Sequence, residues 1–215
     1  MRAAVKICGV TAPDAVTAAV KAGARYIGLN FIAASPRFLD LEKAKALSAL
    51  IPSNVAQVAL FADPADDTVD AVISALPAIN LIQLHGNESP ERVAAIKARF
   101  NRKIIKAIAI ASAADLAGIK AYDHVVDHFL FDAKPPAGVS TLTGGHGLAF
   151  DWELLDGFQT RDKWFLAGGL NPGNVAEAIR LTGAPVVDVS SGVEDRPGHK
   201  DVAKIDAFLA AVKEA

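Results

Sequence analysis

The sequence predicts an α/β fold closed as a (β/α)8, or TIM, barrel, and three observations predict it. Short apolar runs alternate with Ala-rich amphipathic stretches along all 215 residues. The alternation repeats eight times, which suits a closed parallel barrel better than its rival, an open doubly wound sheet. No linker divides the chain and little length remains for insertions, so residues 1–215 read as a single domain.

The first strand, 3–8, is the apolar run Ala3-Ala4-Val5-Lys6-Ile7 closed by Cys8, and Gly9-Val10-Thr11 turns it toward a helix over 12–22. Pro13 suits the first turn of that helix, and Gly23 a left-handed cap at its end. Strands follow at 25–31, 55–61, 79–84, 104–109, 127–132, 164–168 and 186–190. Between them the spacing predicts helices at 41–50, 65–75, 89–100, 112–121, 152–157 and 172–182, with a last one at 201–214. Ser89-Pro90-Glu91 and Asn171-Pro172 carry helix-start chemistry, and Gly183 offers a second left-handed cap. The stretch 133–147 is too long for a simple connection, and its position after Asp132 suits an active-site cover.

Composition narrows the class of function. The formal net charge is -2 and the signs are scattered, so no basic stripe points to nucleic acid. A single cysteine excludes an internal disulfide and a multi-cysteine zinc site, and fits a reducing compartment. The N-terminus lacks the apolar core of a signal peptide, and no apolar run reaches the length of a membrane span. The expectation is a soluble cytoplasmic protein.

Barrel enzymes carry their chemistry at the carboxyl ends of the strands. In order those ends hold Cys8, Asn30, Phe61-Ala62-Asp63, Gln83-Leu84-His85-Gly86, Lys106, Asp132, Gly168-Gly169 and Asp188-Val189-Ser190-Ser191-Gly192. Alternation places Lys6 on the same face as Cys8, and Gln83 on the same face as His85. A polar upper layer of this kind is costly unless its groups bond one another or a ligand. A lone thiol is most often a small buried hydrophobe, but a carboxyl on the same rim makes Cys8 and Asp132 a base and acid pair.

A basic thiol needs a depressed pKa or help from the substrate, and Lys6 beneath it with Lys106 nearby would supply positive potential. An acid at Asp132 calls for partial burial or a neighbouring anion. Gly168-Gly169 and Ser190-Ser191-Gly192 follow the last two strands, where barrels commonly hold phosphate, and the second piece would open a short helix. Arg37 is either a surface arginine or a fork for a carboxylate. His85 is a base, a ligand-binding donor or a satisfied core histidine. The other histidines, at 124, 128, 146 and 199, show no metal spacing, and Phe31, Phe61 and Phe150 read as core or pocket wall. The site is therefore expected to work without metal or cofactor.

These motifs, in this order, resemble the phosphoribosylanthranilate isomerase family of tryptophan biosynthesis over almost the whole chain. The resemblance is carried by Lys6-Ile7-Cys8-Gly9, Gly28-Leu29-Asn30-Phe31, Ser35-Pro36-Arg37, Gln83-Leu84-His85-Gly86 and Phe131-Asp132-Ala133-Lys134. Phe150-Asp151-Trp152, Ala167-Gly168-Gly169-Leu170-Asn171-Pro172, Val187-Asp188-Val189-Ser190-Ser191-Gly192-Val193-Glu194 and Pro197-Gly198-His199-Lys200-Asp201 complete it. One departure is Gly144-Gly145-His146-Gly147, where the family usually has Thr at the His146 position.

The resemblance implies a cofactor-free Amadori rearrangement of N-(5-phosphoribosyl)anthranilate. In that reaction Asp132 would protonate the furanose oxygen and Cys8 would remove the C2 proton. Arg37 would bind the anthranilate carboxylate, with His85 and Asp188 near the substrate. Gly168, Gly169, Ser190, Ser191 and Gly192 would hold the phosphate. The substrate carries about three negative charges, counting roughly -2 for phosphate, so attraction must be local.

Two alternatives stand beside this reading. One is another phosphosugar barrel such as indole-glycerol-phosphate synthase, which normally needs lysine and glutamate catalysts. The other is a non-catalytic barrel that binds an anionic metabolite. An apolar helix face can serve the core or a partner, so monomer and homodimer both stay open.

Overall fold

A computed structural model describes residues 2–134, 151–155 and 164–215. Eight parallel strands close into a barrel in chain order. They are β1 (Ala4–Cys8), β2 (Tyr26–Asn30), β3 (Ala56–Phe61), β4 (Ile79–Leu84), β5 (Lys103–Ile110), β6 (His128–Ala133), β7 (Trp164–Leu166) and β8 (Val186–Val189). The ring closes where β1 pairs with β8, setting Lys6 directly opposite Asp188. On the other side of β1, Cys8 faces Gly28 of β2.

The helices between strands are α1 (Pro13–Ala22), α2 (Leu41–Ser48), α3 (Asp66–Ala75), α4 (Pro90–Phe100), α5 (Ala113–Ala117), α6 (Val175–Thr182) and α7 (Val202–Glu214). Side-chain caps start several of them: Asp40 accepts from the Lys43 amide, Ser89 from Arg92 and Asp201 from Lys204. Gly23 and Gly183 take the left-handed conformation expected of them at the ends of α1 and α6. The segment predicted as one helix at 112–121 is α5 followed by a 3-10 stretch, Gly118–Tyr122.

The helix predicted at 172–182 begins later, at Val175. Asn171 and Asn174 bond each other's turn instead: Asn174 Oδ1 accepts from the Asn171 amide, and Asn171 Oδ1 from that of Gly173. Only one 3-10 turn, Trp152–Leu155, is described where 152–157 was predicted helical. The expectations for residues 135–147 with His146, for Phe150 and for 156–157 lie outside the described residues.

Strand alternation sorts the side chains into two cores. Outward-facing Ile7, Ile27, Leu29, Phe61, Ile82, Leu84, Ile104, Phe131, Leu166 and Val187 pack against the helices, and Phe31 stacks on Phe61 there. Inward-facing Val58, Leu81, Ile105, Ala107, Leu130, Phe165, Ala167 and Val186 form an apolar plug, with Tyr26 edge-on to Phe165. The polar upper layer rests on this plug. Among the described residues, no helix is long and apolar enough to cross a membrane.

Lys106 departs from the sequence reading. It shares the outward parity of Ile104, so it leaves the lumen and does not serve Cys8. Its ammonium meets the Glu88 carboxylate at 3.0 Å and the Gly86 carbonyl at 2.7 Å, tying β5 to the loop before α4. Both side chains are almost wholly buried. Glu88→Ala should therefore destabilise the fold by about 3–5 kcal/mol, because it leaves a buried ammonium without its counter-charge. Urea unfolding checks this, and an unchanged midpoint would refute it.

Candidate active site

The Cys8 side of the rim is built on β1. Cys8 is buried and packs against Ile32 and Leu60, in van der Waals contact with the β2 backbone. Gly28 makes that approach possible: a Cβ there would stand 2.9 Å from the Cys8 sulfur. Two residues earlier, Lys6 is 0% exposed, and its ammonium meets both oxygens of Asp188 at 3.0 Å. The same ammonium shares the inward face of β1 with Cys8 and acts electrostatically on its thiol.

Burial pushes the thiol above its ordinary pKa; Lys6 opposes this and Asp188 reinforces it, so the thiol rests protonated. Of the two conditions the sequence allowed for a basic thiol, a depressed pKa or help from the substrate, burial works against the first. The second cation that favours the thiolate is Lys200, in the place expected for Lys106. Burial also raises Asp188, against the pull of Lys6. Burial pulls Lys6 down, but Asp188 and Cys8 together hold it above the ordinary lysine value.

The Asp132 side of the rim lies on β6. One Asp132 oxygen accepts from the Ala133 amide at 2.9 Å, which fixes the carboxyl. The other lies 3.4 Å from His85 Nε2. Behind the ring, Gln83 Nε2 is 3.2 Å from His85 Nδ1, so Gln83 and His85 share the face that alternation assigned them. Asp188 feels the charges of both Asp132 and His85, so β1, β4, β6 and β8 feed one electrostatic cluster.

Arg37 is not a surface arginine. It is buried beside β1, and its Nε and Nη2 grip the two oxygens of Glu194 at 2.8 and 2.7 Å. Glu194 opens β9 (Glu194–Arg196), which pairs with β10 (His199–Lys200) as a small hairpin over the rim. Lys200 donates to Glu194 at 2.6 Å and to the Ser190 carbonyl and hydroxyl, each at 3.1 Å. Burial lowers Lys200 to about 8 despite the Glu194 charge, with Arg37 adding to the effect. Burial pushes Glu194 up, but Arg37 and Lys200 outweigh it and hold the carboxyl below its usual range.

The two Gly-rich pieces meet as the sequence suggested. A Cβ on Gly192 would fall 1.9 Å from the Leu170 carbonyl, so only glycine lets the loop after β8 lie against the loop after β7. Both Asn171 and Asn174 donate to the Gly169 carbonyl, at 3.2 and 3.0 Å. The short helix expected there is a single 3-10 turn, Ser191–Val193.

All the residues singled out from sequence, Cys8, Asp132, Arg37, His85, Asp188, Gly168, Gly169, Ser190, Ser191 and Gly192, lie at this one end of the barrel or in the loops beside it. Sequence reading gave Glu194 and Lys200 no role. Both stood only as members of the motifs that carry the resemblance, and opposite charges flanking a turn such as Pro197-Gly198 are common on protein surfaces.

Comparison with known proteins places this site in a family. A family model of N-(5'-phosphoribosyl)anthranilate isomerase matches residues 5–211. An isomerase of that name from Rhodospirillum centenum is 53% identical over 206 residues, covering 96% of each chain. A crystal structure of phosphoribosyl anthranilate isomerase, complexed with reduced 1-(o-carboxyphenylamino)-1-deoxyribulose 5-phosphate, superposes with a TM-score of 0.85 at 32% identity, over 99% of this chain and 100% of that one. Monomers derived from the dimeric Thermotoga maritima enzyme give 0.84 at 32% identity, with the same coverage. These matches favour the isomerase over the synthase and the non-catalytic binding barrel. The chain belongs to the N-(5'-phosphoribosyl)anthranilate isomerase family, the enzymes of the isomerase step in tryptophan biosynthesis.

Proposed function

We propose that this family member carries out the Amadori rearrangement of N-(5-phosphoribosyl)anthranilate with Asp132 as acid and Cys8 as base. The observation that carries the reading is their placement: both groups project from strand ends into one polar layer, sealed below by the apolar plug. Asp132 gives its proton to the furanose oxygen, the ring opens, and the anthranilate nitrogen becomes an iminium. That cation acidifies the C2–H bond, so a small thiolate population suffices: the resting thiol first gives up its proton, and the Cys8 thiolate then takes the C2 proton. The enolamine left behind tautomerises to the ketone.

Binding is local. The phosphate is assigned to Gly168, Gly169, Ser190, Ser191 and Gly192, where two loops converge beside the Lys200 ammonium. Arg37, held by Glu194 through two nitrogens, presents Nη1 to the anthranilate carboxylate. Glu194 thus aims the guanidinium. His85 orients Asp132. The catalytic unit is the single barrel of residues 1–215, working in the cytoplasm on a small-molecule substrate.

Anthranilate fluorescence with freshly generated substrate tests the roles. Cys8→Ser and Asp132→Asn should each lower kcat by about 10²–10⁴-fold, and near-parent turnover in either would remove its assigned role. Arg37→Ala should raise KM by the equivalent of about 1.5–3 kcal/mol, the worth of a charged hydrogen bond; an unchanged KM would rule out the carboxylate contact. A lysine is charged below its pKa, so Lys200 loses its charge as pH rises through about 8. KM should climb across that interval in the parent and stay level in Lys200→Met, and a parent KM that stays level would separate Lys200 from substrate binding.

A further inference from the structure

Cys8, Lys6 and Asp188 form a closed group in the lumen. Strand alternation puts Lys6 and Cys8 on one face of β1, and barrel closure puts Asp188 opposite Lys6. All three side chains are buried; the ammonium meets both Asp188 oxygens and lies within electrostatic reach of the thiol two residues along the same face. A buried site of this kind tolerates one ion pair far better than an extra net charge. Two arrangements keep that balance: Lys6 ammonium with Asp188 carboxylate and Cys8 thiol, or Lys6 ammonium with Cys8 thiolate and Asp188 acid. They differ by the position of one proton.

The geometry points to Asp188 as the proton acceptor for Cys8, with Lys6 as the positioning residue whose ammonium is shared between them. This inference rests on Cys8 being the base. The S–H bond breaks as an N–H bond of Lys6 passes its proton to an Asp188 oxygen, and Lys6 regains a proton from sulfur. No proton is exchanged with solvent. The thiolate then takes the C2 proton, the C–H electron pair moves toward the iminium, and Cys8 is a thiol again. Asp188 now holds one proton more than at the start, and Asp132 one fewer. Transfer from Asp188 toward Asp132, past His85, resets both.

Burial raises both Cys8 and Asp188, and the Asp188 charge raises Cys8 further. The other charged groups around the cluster are Lys200 above Cys8, the Arg37–Glu194 pair beside β1, and His85 with Asp132 facing Asp188.

Because Cys8 is the only cysteine, ultraviolet absorbance of the thiolate reports this residue alone. The intact protein would be titrated as parent, Asp188→Asn, Lys6→Arg and the double variant Lys6→Met with Asp188→Asn, which buries no unpaired charge. Asp188→Asn should lower the Cys8 midpoint by about one pH unit or more, and adding Lys6→Met should raise it again. Lys6→Arg should stay nearer the parent than the double variant does. Parent kcat should be flat through neutral pH, whereas Asp188→Asn should gain an acid limb that follows its own thiolate curve.

Coincident midpoints in parent, Asp188→Asn and the double variant would overturn the shared ammonium. A flat kcat profile in Asp188→Asn would overturn the acceptor role. If the midpoints move as stated but the parent lacks isomerase activity, the cluster stands and the functional reading fails.

Discussion

An ammonium and a carboxylate held 3.0 Å apart, across the seam where the last strand meets the first, organise everything above the apolar plug. Lys6 and Asp188 lie in the lumen, out of reach of bulk water. Removing two charges from water is expensive, and their attraction offsets the cost only when geometry is good and other polar groups join in. Here the barrel supplies both conditions. Direct cross-strand register sets the distance, and neighbouring rim groups extend the network. The same register that closes the sheet therefore fixes the electrostatics of the site.

The rim divides into two charged units with different partners. One is the lumenal group of Cys8, Lys6 and Asp188, reaching to His85 and Asp132. The other is Arg37, Glu194 and Lys200, assembled from the loop after β2 and the hairpin after β8. Glu194 is the hinge of the second unit, since each of its oxygens accepts from Arg37 and one also from Lys200. Two cations and one anion leave that corner net positive. A protein of formal charge -2 thus concentrates positive potential at one corner of its rim.

Much of this was legible in the sequence because a barrel strand has period two. Alternation gave the face shared by Lys6 and Cys8 and by Gln83 and His85, and chain order gave the rim on which Asp132 and Asp188 join them. Alternation also held the correct answer for Lys106, whose outward parity with Ile104 removes it from the lumen; proximity to the strand end had suggested otherwise. What pattern cannot supply is the partner across the ring. Glu194 lies 157 residues from Arg37, and no local periodicity links them. The start of α6 was hidden for a different reason: Asn171 and Asn174 prefer bonds to neighbouring backbone over helix, so Pro172 begins a turn instead.

The protonated resting state of Cys8 bears on the durability of the protein as well as on its reaction. Oxidants and electrophiles attack thiolates far faster than thiols. A sulfur walled by Ile32 and Leu60, and held protonated by burial, is a poor target for peroxide. The barrel can thus carry its most nucleophilic atom through many turnovers without a second cysteine to rescue it.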